Sequence, residues 1–264
     1  MWTTQESWYN KPMKFHISHP LKQVVINQKF GEVANLQYYK DHGLNFIGHN
    51  GVDYGATHGT PVYATHDGIV GYAGGDAKAG IGVVLVTNEK FDSPKDSNFG
   101  QTLYKTIYWH LAPSDCHGGA HKVPVTFGQQ VKKGDIIGYV NNTGLSTGDH
   151  LHFGCKQVME GEEKWTWFNL NQNNGYSGAI DPLQFIEPFS RDLFLGSTGP
   201  DVSLLQAQLV IRGFLLTKDF GTFGPKTFAA VRAFQKAYLL PATGYFGRMT
   251  RGKLTELMDY NADF

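Results

Sequence analysis

Two cysteines, Cys116 and Cys155, are all that the 264 residues contain. Two do not make a disulfide framework, and the sequence leaves open whether they pair. No apolar run reaches the roughly 18 residues that span a bilayer, so no membrane partner is expected. The first ten residues, Met-Trp-Thr-Thr-Gln-Glu-Ser-Trp-Tyr-Asn, lack a basic start followed by an apolar stretch. No signal peptide is therefore expected, and the product should be made in the cytoplasm. An excess of either charge is missing too, since 23 Lys+Arg balance 23 Asp+Glu. Bulk electrostatics thus offers no case for nucleic acid as a partner.

What is present suits a folded, β-rich chain. Hydrophobic residues make up 41% and charged residues 17%, which excludes a disordered polymer. With 32 Gly and 14% aromatics, strands joined by tight turns are favoured. The length accommodates two domains. Short β-branched or aromatic runs predict strands at Val24–Ile26, Thr60–Thr65, Gly68–Ala73, Ile81–Thr87, Thr102–Leu111 and His150–Lys156. Glu89–Gly100 reads as a hairpin loop, and Lys132-Lys133-Gly134-Asp135 as a turn between short strands.

After Pro188 the pattern changes period. Val202, Leu205 and Leu209 share one helical face, as do Phe228, Val231, Phe234 and Tyr238, and then Leu254 and Leu257. Pro200 and Pro225 stand where a helix tolerates them, at its first turn. Gly221-Thr-Phe-Gly-Pro-Lys-Thr227 is echoed by Gly244-Tyr-Phe-Gly-Arg-Met-Thr250, each leading into a helix. The expected fold is a mainly β domain over residues 1–190, an antiparallel sheet with a groove, then a small all-α three-helix domain over 191–264. Residues 1–190 hold 14 Lys+Arg against 17 Asp+Glu, and residues 191–264 hold 9 against 6. The basic tail could aid adhesion to an anionic surface, or could be a random split of surface charge. Nothing in the sequence demands more than a monomer.

Of the 11 His, seven (His16, His19, His42, His58, His66, His117 and His121) suggest no special role. Four sit in distinctive company. His49-Asn-Gly-Val-Asp53 can converge on one cation if the chain turns between its ends, and imidazole nitrogen with carboxylate oxygen suits Zn²⁺. In His150-Leu151-His152 the two imidazoles share one face of a strand. His110 closes the aromatic run Tyr108-Trp109-His110-Leu111. Each signal alone is weak.

The ordered set is specific. His49-x-x-x-Asp53, Trp109-His110-Leu111 and Ser146-Thr-Gly-Asp-His150-Leu-His152-Phe153 resemble the lysostaphin-type (LytM-like) zinc peptidases. Thr60-Pro61-Val62-Tyr63, Asp67-Gly68-Ile69-Val70 and Val131-Lys-Lys-Gly-Asp-Ile-Ile-Gly138 support the resemblance, which covers roughly residues 20–186. It implies one Zn²⁺ held by His49, Asp53 and His152, with an open position for water. It also implies that His110 and His150 act as general base and oxyanion stabiliser. Activity should then fall on the acid side as imidazoles become charged. The chain has no His-Glu-x-x-His, so a helix-borne glutamate base is not implied. All five positions are intact, unlike in relatives that lost metal ligands and serve as activators. Departures are Asp149, where many relatives carry proline or another residue, and the stretch Asn45–Gly48 ahead of His49.

The tail, from Gly196-x-x-Gly199-Pro to Ala-Val-x-x-Phe-Gln235, resembles the three-helix peptidoglycan-binding domain of wall hydrolases. Together the resemblances imply an endopeptidase acting on bacterial peptidoglycan. A catalytic domain plus wall binder without a signal peptide resembles a phage endolysin acting on the wall after release. A bacterial remodelling hydrolase and a non-catalytic activator are the alternatives.

Overall fold

The computed structural model describes residues 15–93, 100–113, 123–189 and 191–261. Cys116, His117, His121 and the segment read for a signal peptide lie outside these residues. The chain divides into two compact units, one ending at Ile186 and the other beginning at Glu187. Among the described residues no helix is long and apolar enough to cross a membrane.

The first unit is mainly antiparallel β. Its strands are β1 (Ile26–Gln28), β2 (Val52–Gly55), β3 (Pro61–Tyr63), β4 (Gly68–Asp76), β5 (Gly80–Thr87), β6 (Phe91–Asp92), β7 (Gln101–Trp109), β8 (Gln130–Val131), β9 (Ile136–Tyr139), β10 (His150–Glu160), β11 (Trp167–Asn169) and β12 (Ala179–Ile180). The main sheet runs β1-β2-β10-β7-β5-β4-β8; β11 and β12 also pair β10, and β6 pairs β7. β3 and β9 form a separate ribbon. The turn at Lys132–Asp135 therefore separates strands that do not pair with each other: β8 joins β4 and β9 joins β3.

Alternation splits the central strands between two environments. Tyr104, Tyr108, Leu151, Phe153 and Cys155 face the principal core, where all are buried. The opposite face carries His152 and Trp109 at one end. At the other it carries a small apolar cluster of Ile69, Val86, Leu103 and Val158 under Trp167. The buried Cys155 thus points away from His152, as the odd spacing implies, and burial pushes its thiol well above the ordinary range.

Several elements were not legible as such, β11 and β12 among them. The region after His49 is a strand, β2. A six-residue helix, α1 (Leu36–Asp41), precedes it, too short for a 3.6-residue pattern to declare itself, and no residue of it is buried. β6 occupies part of the stretch read as a loop, pairing Phe91 with Thr102.

The second unit holds α2 (Pro200–Ile211), α3 (Pro225–Ala237) and α4 (Arg248–Asn261). Val202, Leu205, Leu209, Val231, Phe234 and Leu254 pack in its core, the faces the periodicity predicted. The sequence echo is a structural one. Gln206 in α2 donates to the Thr222 carbonyl and Thr227 hydroxyl and accepts from Gly221 N–H. Gln235 in α3 donates to the Tyr245 carbonyl and Thr250 hydroxyl and accepts from Gly244 N–H. In each copy the phenylalanine, Phe223 or Phe246, is fully buried. The Gly-x-Phe-Gly turns thus anchor helix entry.

Candidate metal centre and groove

Strand register assembles the centre. On β10, His152 lies opposite Asp53 of β2 on one side and Trp109 of β7 on the other. His49 ends the loop leading into β2, and His110 follows the last residue of β7. Five residues from three separated segments of the chain are thereby gathered at one end of one sheet face.

The inner three form a tight triangle. His49 Nε2 stands 3.0 Å from His152 Nδ1 and 3.1 Å from Asp53 Oδ1. Asp53 Oδ1 lies 3.0 Å from His152 Nδ1. Hydrogen bonds cannot satisfy all three edges, because corner angles near 60° are far from the linear geometry a donated proton needs. A cation between the corners does satisfy them. Two imidazole nitrogens and a carboxylate oxygen on so small a triangle fit the zinc donor set and its ligand distances of about 2.0–2.2 Å, with the fourth tetrahedral direction left open.

Backbone carbonyls fix the tautomers. A carbonyl oxygen only accepts, so a ring nitrogen beside it must carry the proton. His49 Nδ1 donates to the Lys29 carbonyl at 3.2 Å, which leaves Nε2 as the lone pair facing the triangle. His110 Nδ1 donates to the Thr143 carbonyl at 2.7 Å. His150 Nδ1 donates to the Gly148 carbonyl at 2.8 Å, with the Ser146 hydroxyl 3.2 Å away. Both catalytic candidates therefore turn Nε2 away from their anchors. Their ring centroids are 4.6 Å apart, and His150 Nε2 lies 3.7 Å from Asp53 Oδ2.

His110 adopts φ +64°, a left-handed conformation uncommon for a residue with a side chain. The bend ends the strand and is held on both sides: Leu111 N–H donates to the Ile81 carbonyl and Asn141 N–H to the His110 carbonyl. Thr143 is pinned in turn. Its hydroxyl accepts from Ile81 N–H and donates to the Leu111 carbonyl. Gly80 and Gly144 let the two loops touch, since a Cβ on Gly80 would lie 2.4 Å from the Thr143 backbone.

Burial dominates the electrostatics. It opposes ionisation of Asp53, but the hydrogen bonds and charge of His152 and His49 outweigh it and hold the carboxyl below its usual range. Burial, then the neighbouring His152 and His150, pushes His110 down to about 4, so its ring is neutral at ordinary pH. Tyr39, on α1 beside His49, is pushed up to about 12 by burial and by the Asp53 charge. The site opens into a groove of about 420 Å³, walled by Tyr39 and by Leu145–Thr147.

Sequence reasoning missed the residues that orient the histidines. The carbonyls of Lys29, Thr143 and Gly148 carry no side-chain signal. Gly51, inside His49-x-x-x-Asp53, is also required: a Cβ there would meet the His152 ring at 2.6 Å and the Phe153 carbonyl at 2.7 Å.

The centre lies within a stretch that matches a known family. Residues 47–164 match peptidase family M23, and residues 198–254 match a putative peptidoglycan binding domain. The chain carries an M23 peptidase domain. A peptidoglycan DD-endopeptidase, ShyA of Vibrio cholerae, is 37% identical over 105 residues, 40% of this chain and 19% of that protein. A glycyl-glycine endopeptidase, ALE-1 of Staphylococcus capitis, is 35% identical over 112 residues, 42% of this chain and 25% of that one. The match thus spans about a fifth to a quarter of these relatives' length. Among solved structures, the catalytic domain of lysostaphin from Staphylococcus simulans aligns with TM-score 0.41 and 25% identity, covering 61% of this chain and 91% of that one. Zinc is the cofactor of M23 peptidases, and among the described residues His49, Asp53 and His152 form a cluster able to hold it.

Proposed function

We propose that this chain is a zinc-dependent endopeptidase that hydrolyses stem or cross-link peptides of bacterial peptidoglycan, with residues 1–190 catalysing and residues 191–264 holding the wall. The observation that carries the reading is the His49–Asp53–His152 triangle beside two histidines whose Nε2 atoms are left available. Zinc, when bound, polarises the scissile carbonyl and acidifies the attacking water. His110 is the neutral ring, so its Nε2 is the base that accepts the water's proton. His150, whose Nε2 lies 3.7 Å from Asp53 Oδ2, stands beside the position where the oxyanion would develop and is the candidate that stabilises it. Thr143 and Gly148 keep both rings in the required tautomer. The groove walls align the peptide and limit water.

The helical unit raises the enzyme's local concentration at the wall without adding a catalytic contact. A catalytic unit joined to a wall binder suits lysis of a host cell from within, as a phage endolysin does, and we assign the chain that role as a monomer. The biochemical test is exposure of new amino termini in purified peptidoglycan. Termini on residues beyond the first of the stem, lost on chelation and restored by Zn²⁺, support the peptidase. Release of whole stems from the sugar would make it an amidase. Expression in bacterial cytoplasm tests the role: lysis only after a membrane lesion is supplied supports an endolysin, and no lysis even then removes that assignment.

A further inference from the structure

The sheet face that carries His152 continues away from the metal centre in steps of two residues. β10 presents Gly154, Lys156 and Val158; β7 presents Ile107, Lys105 and Leu103. Register sets Gly154 against Ile107, Lys156 against Lys105, and Val158 against Leu103. The groove with the metal ligands is lined as far as Ile107, Gly154 and Lys156.

Two features of this floor are not explained by folding. Lys105 and Lys156 stand directly opposite each other on antiparallel strands, where like charges destabilise. Both are half-buried. Burial, then the neighbouring ammonium, pushes Lys105 down to about 8, and burial lowers Lys156. Lys156 Nζ donates to the Ser177 carbonyl at 2.7 Å, and among the described residues no carboxylate pairs with either lysine. The second feature is Gly154. A Cβ there would sit 3.5 Å from Ile107 and 3.8 Å from the Asn50 carbonyl, which is ordinary contact. Packing does not require this glycine, in contrast to Gly51 and to Gly82, where a Cβ would strike the Trp109 ring. Its effect is to lower the floor between the metal centre and the two lysines.

We propose that Lys105 and Lys156 form a carboxylate-binding subsite that sets the register of the substrate peptide, which reaches them across the bare floor at Gly154. The inference rests on the peptidase reading above. Four residues of strand separate His152 from Lys156, about 13 Å at roughly 3.3 Å per residue. The carboxylate therefore belongs to a substrate residue within about four positions of the cleaved bond. Peptidoglycan stems carry free carboxylates along a short peptide, so the chemistry is available. A carboxylate between the two ammoniums offsets their repulsion, and its charge-assisted hydrogen bonds contribute about ten- to a hundredfold in affinity.

The test uses the zinc-loaded full chain and two cross-linked stem peptides, identical except that one carboxylate near the cleaved bond is free or converted to carboxamide. The free acid should have a KM at least about tenfold lower. The double variant Lys105→Gln, Lys156→Gln should erase that preference by raising KM for the acid, with kcat within about twofold and the amide unchanged. Gly154→Ala should raise KM for both peptides at unchanged zinc content. Equal effects of the double variant on acid and amide, or a preference that survives it, would overturn the subsite. Calorimetric binding of both peptides reads the preference without turnover. A chain that binds acid over amide but cleaves neither loses only the peptidase reading. A chain that binds and cleaves both alike loses only the subsite. Lys156→Gln also removes the bond to the Ser177 carbonyl, so stability is read on Lys105→Gln alone, which removes only the like-charge contact: its thermal midpoint should hold or rise, and a fall would mark that lysine as structural and refute the assignment.

Discussion

Gly51→Ala should weaken zinc binding by about ten- to a hundredfold while leaving the sheet intact. The new Cβ would lie 2.6 Å from His152 Cε1 and 2.7 Å from both His152 Nε2 and the Phe153 carbonyl. Ordinary contact begins about 3.4 Å apart, so something must give by roughly 0.8 Å. The carbonyl belongs to a strand paired on both sides, β2 and β7, and is held by that ladder. The His152 ring is the freer party and would rotate. Its Nδ1 is one corner of a triangle with edges of 3.0 and 3.1 Å, whereas a metal site tolerates ligand errors of only about 0.2 Å. Overpacking of this kind costs about 1–3 kcal/mol of stability, which a sheet of this size should survive. Competition against a chromophoric chelator measures the zinc affinity, and circular dichroism checks the fold. Wild-type affinity in a folded Gly51→Ala protein would refute the argument that this glycine exists to seat His152.

Other outcomes follow from the same geometry. His110→Ala should lower kcat by about 10²–10⁴-fold with one zinc retained per chain, measured by turnover and metal analysis; coincident loss of zinc would make His110 a ligand instead. The acid limb of kcat/KM should lie below the ordinary histidine value of about 6.5, because burial, His152 and His150 push His110 down to about 4 and the base is competent above its own pKa. A limb at or above 6.5 would contradict that assignment. Burial also pushes His66 down to about 4. The folded state then binds fewer protons than the unfolded one between about 4 and 6.5. Stability is full above that window and falls as pH drops through it, by about 3 kcal/mol at the acid end. Urea titrations across the window should show this slope, and His66→Gln should flatten it. Gln206→Ala or Gln235→Ala should destabilise the helical unit by about 1–3 kcal/mol, since each buried amide makes three hydrogen bonds, one of them to a buried threonine hydroxyl; unchanged unfolding would make the repeated bonds incidental.

The metal triangle was legible through the resemblance: His-x-x-x-Asp and His-x-His are each weak signals, and only their ordered set with Trp109-His110-Leu111 implied the ligands His49, Asp53 and His152. The helical unit was legible more directly, since its core is written at a period of 3.6. Orientation of the histidines was not legible. It depends on the carbonyls of Lys29, Thr143 and Gly148, which any residue type supplies, brought close by contacts between distant segments. Gly80 against Gly144 is one such contact, with no local signature. The lysine pair was hidden for another reason. Lys105 and Lys156 are 51 positions apart, and only the register of β10 on β7 sets them face to face. β6 and α1 were missed because two and six residues are too few for periodicity to register.

Mass spectrometry of fragments released from purified sacculi by the zinc-loaded chain, with His110→Ala alongside, tests the central claim most directly. Cross-linked peptides cut at a single type of peptide bond, by the intact protein alone, are what the account predicts. Intact cross-links after treatment with a protein shown to hold one zinc would contradict it.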